Sequence, residues 1–383
     1  MRLPESALRA AILHPEEEVR LAAVTYFSGA MSRDETIMPA VIQAVERHGR
    51  DRAFRMLRSA ERLAQTPATV DWLLGELRRP YALHEIDEDN YRFAVALILC
   101  RAPAALLRER RGDMAALPMF PEQLRAHLDQ RLEMLSWDWE RAWIALEALG
   151  RRTMRSGRFT RSDVLHAELL VESLARHRAE QAGTVLKLLE GPYEPGKEAL
   201  IEWLKPLVAR LAGAMRLASA VPLLTEYLPH ANVSLADEST TALIRIGAGT
   251  AVAAIADRWP DAGPDFRAAA CDVLEHIHSD LCTEACLRFF AAEEHPAIRL
   301  SLAHAVLSQF VEEGVEPVRR LVLGPEEGLA PDYLDIRYRL VAACLVMGAA
   351  FPELDRWHDE AVANRWGLGD YRPPRLAESS RPE

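Results

Sequence analysis

The sequence predicts an all-α protein, a right-handed α-solenoid of about nine or ten stacked antiparallel helix pairs that turns irregular in its middle. Three observations lead there. Ala (60) and Leu (53) dominate the 383 residues, and both favour helix, whereas the β-branched residues that fill sheets are few. The apolar share of 49% is enough for a continuous core. Finally, the chain repeats itself. Ala220-Val221-Pro222-Leu223-Leu224 recurs as Ala251-Val252-Ala253-Ala254-Ile255, Thr283-Glu284-Ala285-Cys286-Leu287 and Val315-Glu316-Pro317-Val318, with spacings of 31, 32 and 32 between their third positions.

Each of these segments is followed by a short turn and a second helix, and the second helix has its own signature. An arginine is preceded by one apolar residue and followed three positions later by another, at Arg20, Arg55, Arg92, Arg141, Arg267, Arg299 and Arg337, with Glu140 and Arg58 as the exceptions. Positions −1 and +3 share a helix face, so the arginine sits beside a buried stripe. Such a guanidinium needs several acceptors to offset its desolvation, and a structural role is expected for Arg20, Arg92, Arg141, Arg267, Arg299 and Arg337. Two missing copies fall at Lys205 and Ala236; around residue 173 the pattern is lost.

Along the chain, the prolines at 4, 15, 39, 67, 121, 222, 264, 296, 317 and 331 suit helix starts, where an absent N–H costs little. Gly49, Gly150, Gly247 and Gly348 suit helix ends. Glu85, Asp87, Glu88 and Asp89 suit the N-terminus of the helix carrying Arg92 and lack the spacing of a calcium loop. Residues 102–112, with Arg108, Arg110 and Arg111, read as an insertion. Pro206 predicts a kink or a helix restart.

Helix pairs of this period, with turns such as His14-Pro15-Glu16-Glu17-Glu18-Val19-Arg20 and His295-Pro296-Ala297-Ile298-Arg299, resemble the HEAT-repeat family, in particular the short bacterial type named after phycobilisome lyases. The resemblance is good in 1–65 and 216–348 and poor in 103–135 and 150–190. It divides the chain into N-terminal repeats (1–102), an irregular helical region with an insertion and a basic loop (103–192) and C-terminal repeats (193–363), and the Pro/Gly/Ser-rich composition of 364–383 predicts a disordered tail. It specifies architecture and leaves activity open, since such solenoids serve as scaffolds, adaptors, lyases and DNA-repair enzymes.

Charge narrows the partners. The formal net charge is −11, and all of it comes from residues 192–383; residues 1–191 balance 28 basic against 28 acidic side chains. A general nucleic-acid or anionic-membrane binder is therefore disfavoured. The N-terminal stretch has no signal-peptide-like apolar run, and Leu340 to Phe351 is too short to span a bilayer, so a cytoplasmic protein is expected. Cys100, Cys271, Cys282, Cys286 and Cys344 read as reduced core thiols.

Candidate sites lie where the period fails. Trp137, Trp139 and Trp143 fall within seven residues, and Trp139 and Trp143 share a face that either walls a ligand or peptide site or fills an irregular gap. Residues 150–163 hold Arg151, Arg152, Arg155, Arg158 and Arg161 against one acid, a loop that either meets an anionic partner or is merely solvated. A weaker set, Arg47, Arg50, Arg52, Arg55, Arg58 and Arg62, is diluted by acids; both sets facing one groove would make a polyanion site. His276, His278, Cys282 and Cys286 could in principle hold zinc, but Cys286 aligns with the core positions Leu223, Ala254 and Val318. Residues 191–198 match the letters of a phosphate loop up to Gly-Lys, then place Glu198 where Ser or Thr is required.

No catalytic constellation and no cofactor motif emerges. The function expected is a non-enzymatic scaffold or adaptor that binds a protein or peptide on the concave surface of the array. The resemblance also implies two alternatives: a nucleic-acid-binding or glycosylase-like protein using Trp137, Trp139, Trp143, Asp138 and the 151–161 arginines, and a lyase-type accessory subunit.

Overall fold

A computed structural model of the protein describes residues 2–80, 83, 86–117, 120–193, 195–324 and 331–363; the tail expected at 364–383 lies outside them. Helices α1 (Glu5–Ala11), α2 (Glu17–Gly29), α3 (Ile37–His48), α4 (Arg50–Ser59), α5 (Pro67–Arg78) and α6 (Glu88–Arg101) come first. The middle holds α7 (Ala104–Glu109), α8 (Arg111–Ala115), α9 (Glu122–Met134), α10 (Trp139–Ser156), α11 (Arg161–Ala175), α12 (Arg178–Glu190) and α13 (Glu198–Ala214). Then follow α14 (Val221–Glu226), α15 (Val233–Ile246), α16 (Ala248–Arg258), α17 (Pro264–His276), α18 (Asp280–Ala292), α19 (Pro296–Ser308), α20 (Val315–Val322), α21 (Pro331–Met347) and α22 (Leu354–Ala363). No strand forms among the described residues; Arg2 and Val311 make a lone antiparallel bridge.

The expected alternation of helices is realised between 221 and 347, where each repeated apolar segment lies in α14, α16, α18 or α20 and is followed by α15, α17, α19 or α21. Local chemistry sets the ends. Thr66 and Thr69 make a reciprocal capping box at α5, Asn232 caps α15 through the Leu235 N–H, and Ser279 caps α18 through the Cys282 N–H. Pro67, Pro264 and Pro296 open their helices. Asp87 caps α6, as its acidic start implies.

Helices pack on their neighbours in rows. α2 packs on α4, α4 on α6, α6 on α9, α9 on α11 and α11 on α13, and the row continues through α15, α17, α19 and α21. α14, α16 and α18 pack in the same succession. One continuous cluster of buried side chains runs from Leu8 to Ala361. At the junction of α13 and α15 the backbones come closest: a Cβ at Gly213 would lie 2.5 Å from the Ala242 Cα.

The row then returns to its beginning, because α21 packs on α2. Leu3 N–H donates to the Phe310 carbonyl at 2.9 Å, the Tyr26 ring stacks on His278 at 3.7 Å, and a Cβ on Gly29 would meet His276 at 2.6 Å. These pairs are more than 240 residues apart in sequence.

Most signature arginines tie turns together. Arg20 is 1% exposed and donates to the carbonyls of His14 (2.8 Å), Pro15 (2.7 Å) and, in the next pair, Arg52 (2.8 Å). Arg92 reaches the carbonyls of Leu77 and Arg79 and the Glu88 carboxylate. Arg267 bonds Glu293, and Arg337 bonds Glu360. Two positions depart from the expectation. Arg141 is exposed in the first turn of α10; the equivalent work is done by buried Arg131, which donates to the carbonyls of Cys100 and Ala102 at 2.7 and 2.9 Å and grips Glu172. Arg131 escapes the pattern because Gln130 precedes it. Arg299 is also exposed, lying over the Phe290 ring at 5.5 Å with no acid paired to it among the described residues.

Two further expectations are corrected, and the arginines of the insertion are given partners. Gly150 does not end a helix: α10 continues to Ser156 and ends at Gly157, in the left-handed conformation (φ 69°). Gly150 is small because α13 presses on it, with Leu200 and Leu204 2.9 and 2.8 Å from where a Cβ would stand. Pro206 does not restart a helix; α13 runs through it. The arginines of the insertion are all engaged, Arg108 by the Leu132 carbonyl, Arg110 by Asp71 and Arg111 by Asp129.

Candidate functional site

The tryptophan segment is organised by one cap. The Asp138 side chain accepts from the Arg141 N–H at 2.8 Å, so Trp139 opens α10 and Trp143 follows one turn later on the same face. Their rings stack in parallel, 5.9 Å between centroids, and His177 meets Trp139 edge-on at 6.4 Å. Trp137 is not part of this wall. It lies outside the helix beneath the Arg141 guanidinium, 4.1 Å from its ring centroid, with its indole N–H buried and without a partner among the described residues.

Trp139 and Trp143 line an open cleft of about 760 Å³ between α10, the start of α12 and the start of α13. Ile144 adds an apolar edge, 57% exposed. Asp138, Glu140 and Glu180 supply acids at the rim, with Gln181 and Lys197 completing it. Glu147 is the buried anchor. Its carboxylate accepts from Trp143 Nε1 at 3.1 Å and Arg151 at 2.7 Å and faces Lys197 Nζ at 3.9 Å. These bonds hold the Trp143 ring in a fixed rotamer, which gives a rigid, amphipathic wall.

The basic cluster is not a loop. Arg151, Arg152 and Arg155 belong to α10, and only residues 157–160 separate it from α11. Arg151 is engaged by Glu147 and Arg152 by Asp163. Asp163 closes a capping box with Thr160, whose hydroxyl and backbone N–H hold its carboxyl below the usual range. Phe159 stacks on Trp203 at 5.8 Å, and Trp203 Nε1 donates to Thr153, which pins the turn. Arg155, Arg158 and Arg161 are exposed and pair with no acid among the described residues. Three free cations remain of the five.

The zinc candidates do not converge, and no metal-binding group of three side chains exists among the described residues. The His276 ring packs on Gly29 and the His278 ring on Tyr26, both toward α2, while Cys282 and Cys286 face the core with sulfurs 3.9 Å apart. Burial pushes the Cys100 and Cys344 thiols up to about 12, and the Cys286 thiol is raised by its bond with Cys282. These are inert core thiols. No helix among the described residues is long and apolar enough to cross a membrane.

Sequence reasoning located Trp139 and Trp143 but missed Glu147, Glu180, His177 and Lys197. Glu147 had a signal, standing four residues after Trp143 and four before Arg151 on one helix face. His177 and Glu180 had none, because α12 lies in the stretch where the repeat pattern fades, and Lys197 stands out in the sequence only within the discarded phosphate-loop match. No protein-family model matches the chain, and no curated protein matches its sequence.

Proposed function

We propose that the protein is a HEAT-like solenoid that acts as a non-enzymatic interaction scaffold, receiving a peptide segment of a partner in the Trp139/Trp143 cleft. The carrying observation is the cleft itself, where a rigid aromatic wall and an exposed isoleucine stand beside three rim acids. This chemistry selects an apolar or aromatic side chain next to a cationic one, the Lys or Arg lying over a tryptophan face and paired with Glu140 or Glu180. The return of α21 onto α2 brings the two ends of the array together, which favours this cleft over an open concave groove as the binding surface.

Selection of a displayed peptide library on the full chain tests this reading. Peptides pairing a basic with an aromatic or apolar residue should enrich, and Trp139→Ala should weaken a selected peptide by about 30-fold, a hot-spot effect. Glu180→Lys should reverse the charge preference. Enrichment unchanged by both variants overturns the reading. Salt-sensitive nucleic-acid binding lost in Arg155→Ala/Arg158→Ala/Arg161→Ala would favour the nucleic-acid alternative instead.

A further inference from the structure

Helix α10 carries the cleft at one end and an unpaired cation at the other. A helix turns by about 100° per residue, so residues seven or eleven positions apart return to within about 20° of one direction. Ile144, at the cleft, therefore shares a face with Arg151 and Arg155, and Trp143 shares one with Met154. Glu140, Ile144, Ala148, Arg151 and Arg155 are all exposed. The other side of the helix is covered by α13: Gly150 faces Leu200 and Leu204, and Thr153 accepts from Trp203 Nε1 at 2.9 Å.

Contacts run along the exposed face from the cleft toward Arg155. Trp143 and Arg151 hold the same Glu147 carboxylate, at 3.1 and 2.7 Å, and Arg155 follows Arg151 one turn on. Arg151 uses only Nη2 for that bond, and its side chain is 48% exposed. Arg155 pairs with no acid among the described residues. Met154, 38% exposed, adds an apolar step beside them, and Ala148 is too small to block the path. From Ile144 to Arg155 the helix rises about 17 Å. About five extended residues, at roughly 3.3 Å each, cover that distance. The cleft end is acidic, with Asp138, Glu140 and Glu180, and the far end is basic, so a chain lying along the helix needs the opposite polarity.

We propose that this face of α10 is a docking strip for an extended peptide with a basic residue beside an aromatic or apolar one at the cleft and an acidic residue about five positions away, held by Arg155 and Arg151. Resting on the cleft as a peptide site, the strip adds a second anchor and fixes the spacing between the two.

Fluorescence anisotropy of the full chain with labelled synthetic peptides at low salt tests the strip. One peptide carries Arg-Trp, a Gly/Ser spacer of about five residues and Glu-Glu, made in both chain directions; its control has Gln-Gln in place of Glu-Glu. In one direction the Glu-Glu peptide should bind about fivefold tighter than its control, the upper range for an exposed ion pair. Arg155→Ala should erase that advantage and leave the affinity of the control unchanged, and Arg155→Glu should reverse it. A spacer of about two residues, too short to reach, should lose the advantage as well. Trp139→Ala should weaken both peptides alike. No advantage for Glu-Glu in either direction, or one indifferent to Arg155 or to the spacer, overturns the strip and leaves the cleft standing wherever Trp139→Ala still weakens binding. Binding indifferent to Trp139 overturns both. A lower melting temperature of Arg155→Ala with unchanged peptide affinity assigns this arginine to the dipole of α10, and tighter binding of single-stranded DNA, lost in Arg155→Ala, assigns the strip to nucleic acid; either result overturns the proposal.

Discussion

The stretch from α14 to α21 and the stretch from α7 to α13 use the same helical material differently. In the former, Ala, Leu and buried Cys fill much of the contact between repeating pairs, and the large rings there, Trp259, Phe266, Phe289 and Phe290, are buried inside it. In the latter, two short helices interrupt the alternation, α10 grows to 18 residues, and tryptophans occupy the irregular space. Regular repetition leaves each apolar stripe covered by the next pair; a break in it leaves a surface whose shape large rigid side chains must complete. The cleft at Trp139 and Trp143 is the part of that surface left open.

Variants can break this contrast. The largest effect is expected where an arginine ties one pair to the next. Arg20→Met removes three buried hydrogen bonds to carbonyls and should destabilise by about 3–5 kcal/mol in urea denaturation, the cost of several buried hydrogen bonds lost together. Arg131→Met should match it, which would show that the irregular middle keeps the same tie. Next is backbone proximity. Gly213→Val drives a side chain into Ala242 and should cost about 2–3 kcal/mol, whereas Gly183→Ala on α12, with nothing within 4 Å, should stabilise by about 0.5–1 kcal/mol.

A smaller effect separates two arginines with one sequence signature. Arg267→Ala removes a bond to buried Glu293 and should cost about 1–2 kcal/mol, while exposed Arg299→Ala should stay within about 0.5 kcal/mol. Equal losses would mean that the signature, not its contacts, carries stability. The smallest concerns pH. Asp272 on α17 is exposed at its own surface, yet partial desolvation first, and then Glu275 and Asp237, push its pKa up to about 6, against the opposing pull of His276. Between the unfolded value near 4 and about 6 the folded chain keeps a proton that the unfolded chain has lost. Stability therefore falls as pH rises through this window and levels above it. Asp272→Asn should flatten that slope in melts taken across pH 4 to 7.

The helical class and several helix ends, such as those at Pro67, Pro264, Pro296, Gly49 and Gly247, were legible in residues close along the chain, because capping, proline placement and apolar spacing act within one or two turns. Gly150 shows the limit of that legibility. Followed by two arginines it has the marks of a terminus, yet its smallness answers to Leu200 and Leu204 on another helix. Arg131 shows the same limit, since its acceptors lie on α6 and α11 and its own neighbours lack the expected pattern. Of the cleft, the aromatic wall was visible and the acidic rim on α12 was not.

By itself, then, the sequence determined the helical class, the two-helix period, the core stripe and the aromatic segment, all consequences of interactions between residues a few positions apart. Only the tertiary structure decided that α21 returns to α2, that Met31 meets Arg216 and Arg245, and that Glu180 faces Trp139 across a cleft. Those depend on contacts between residues far apart along the chain, which no short run of residues encodes.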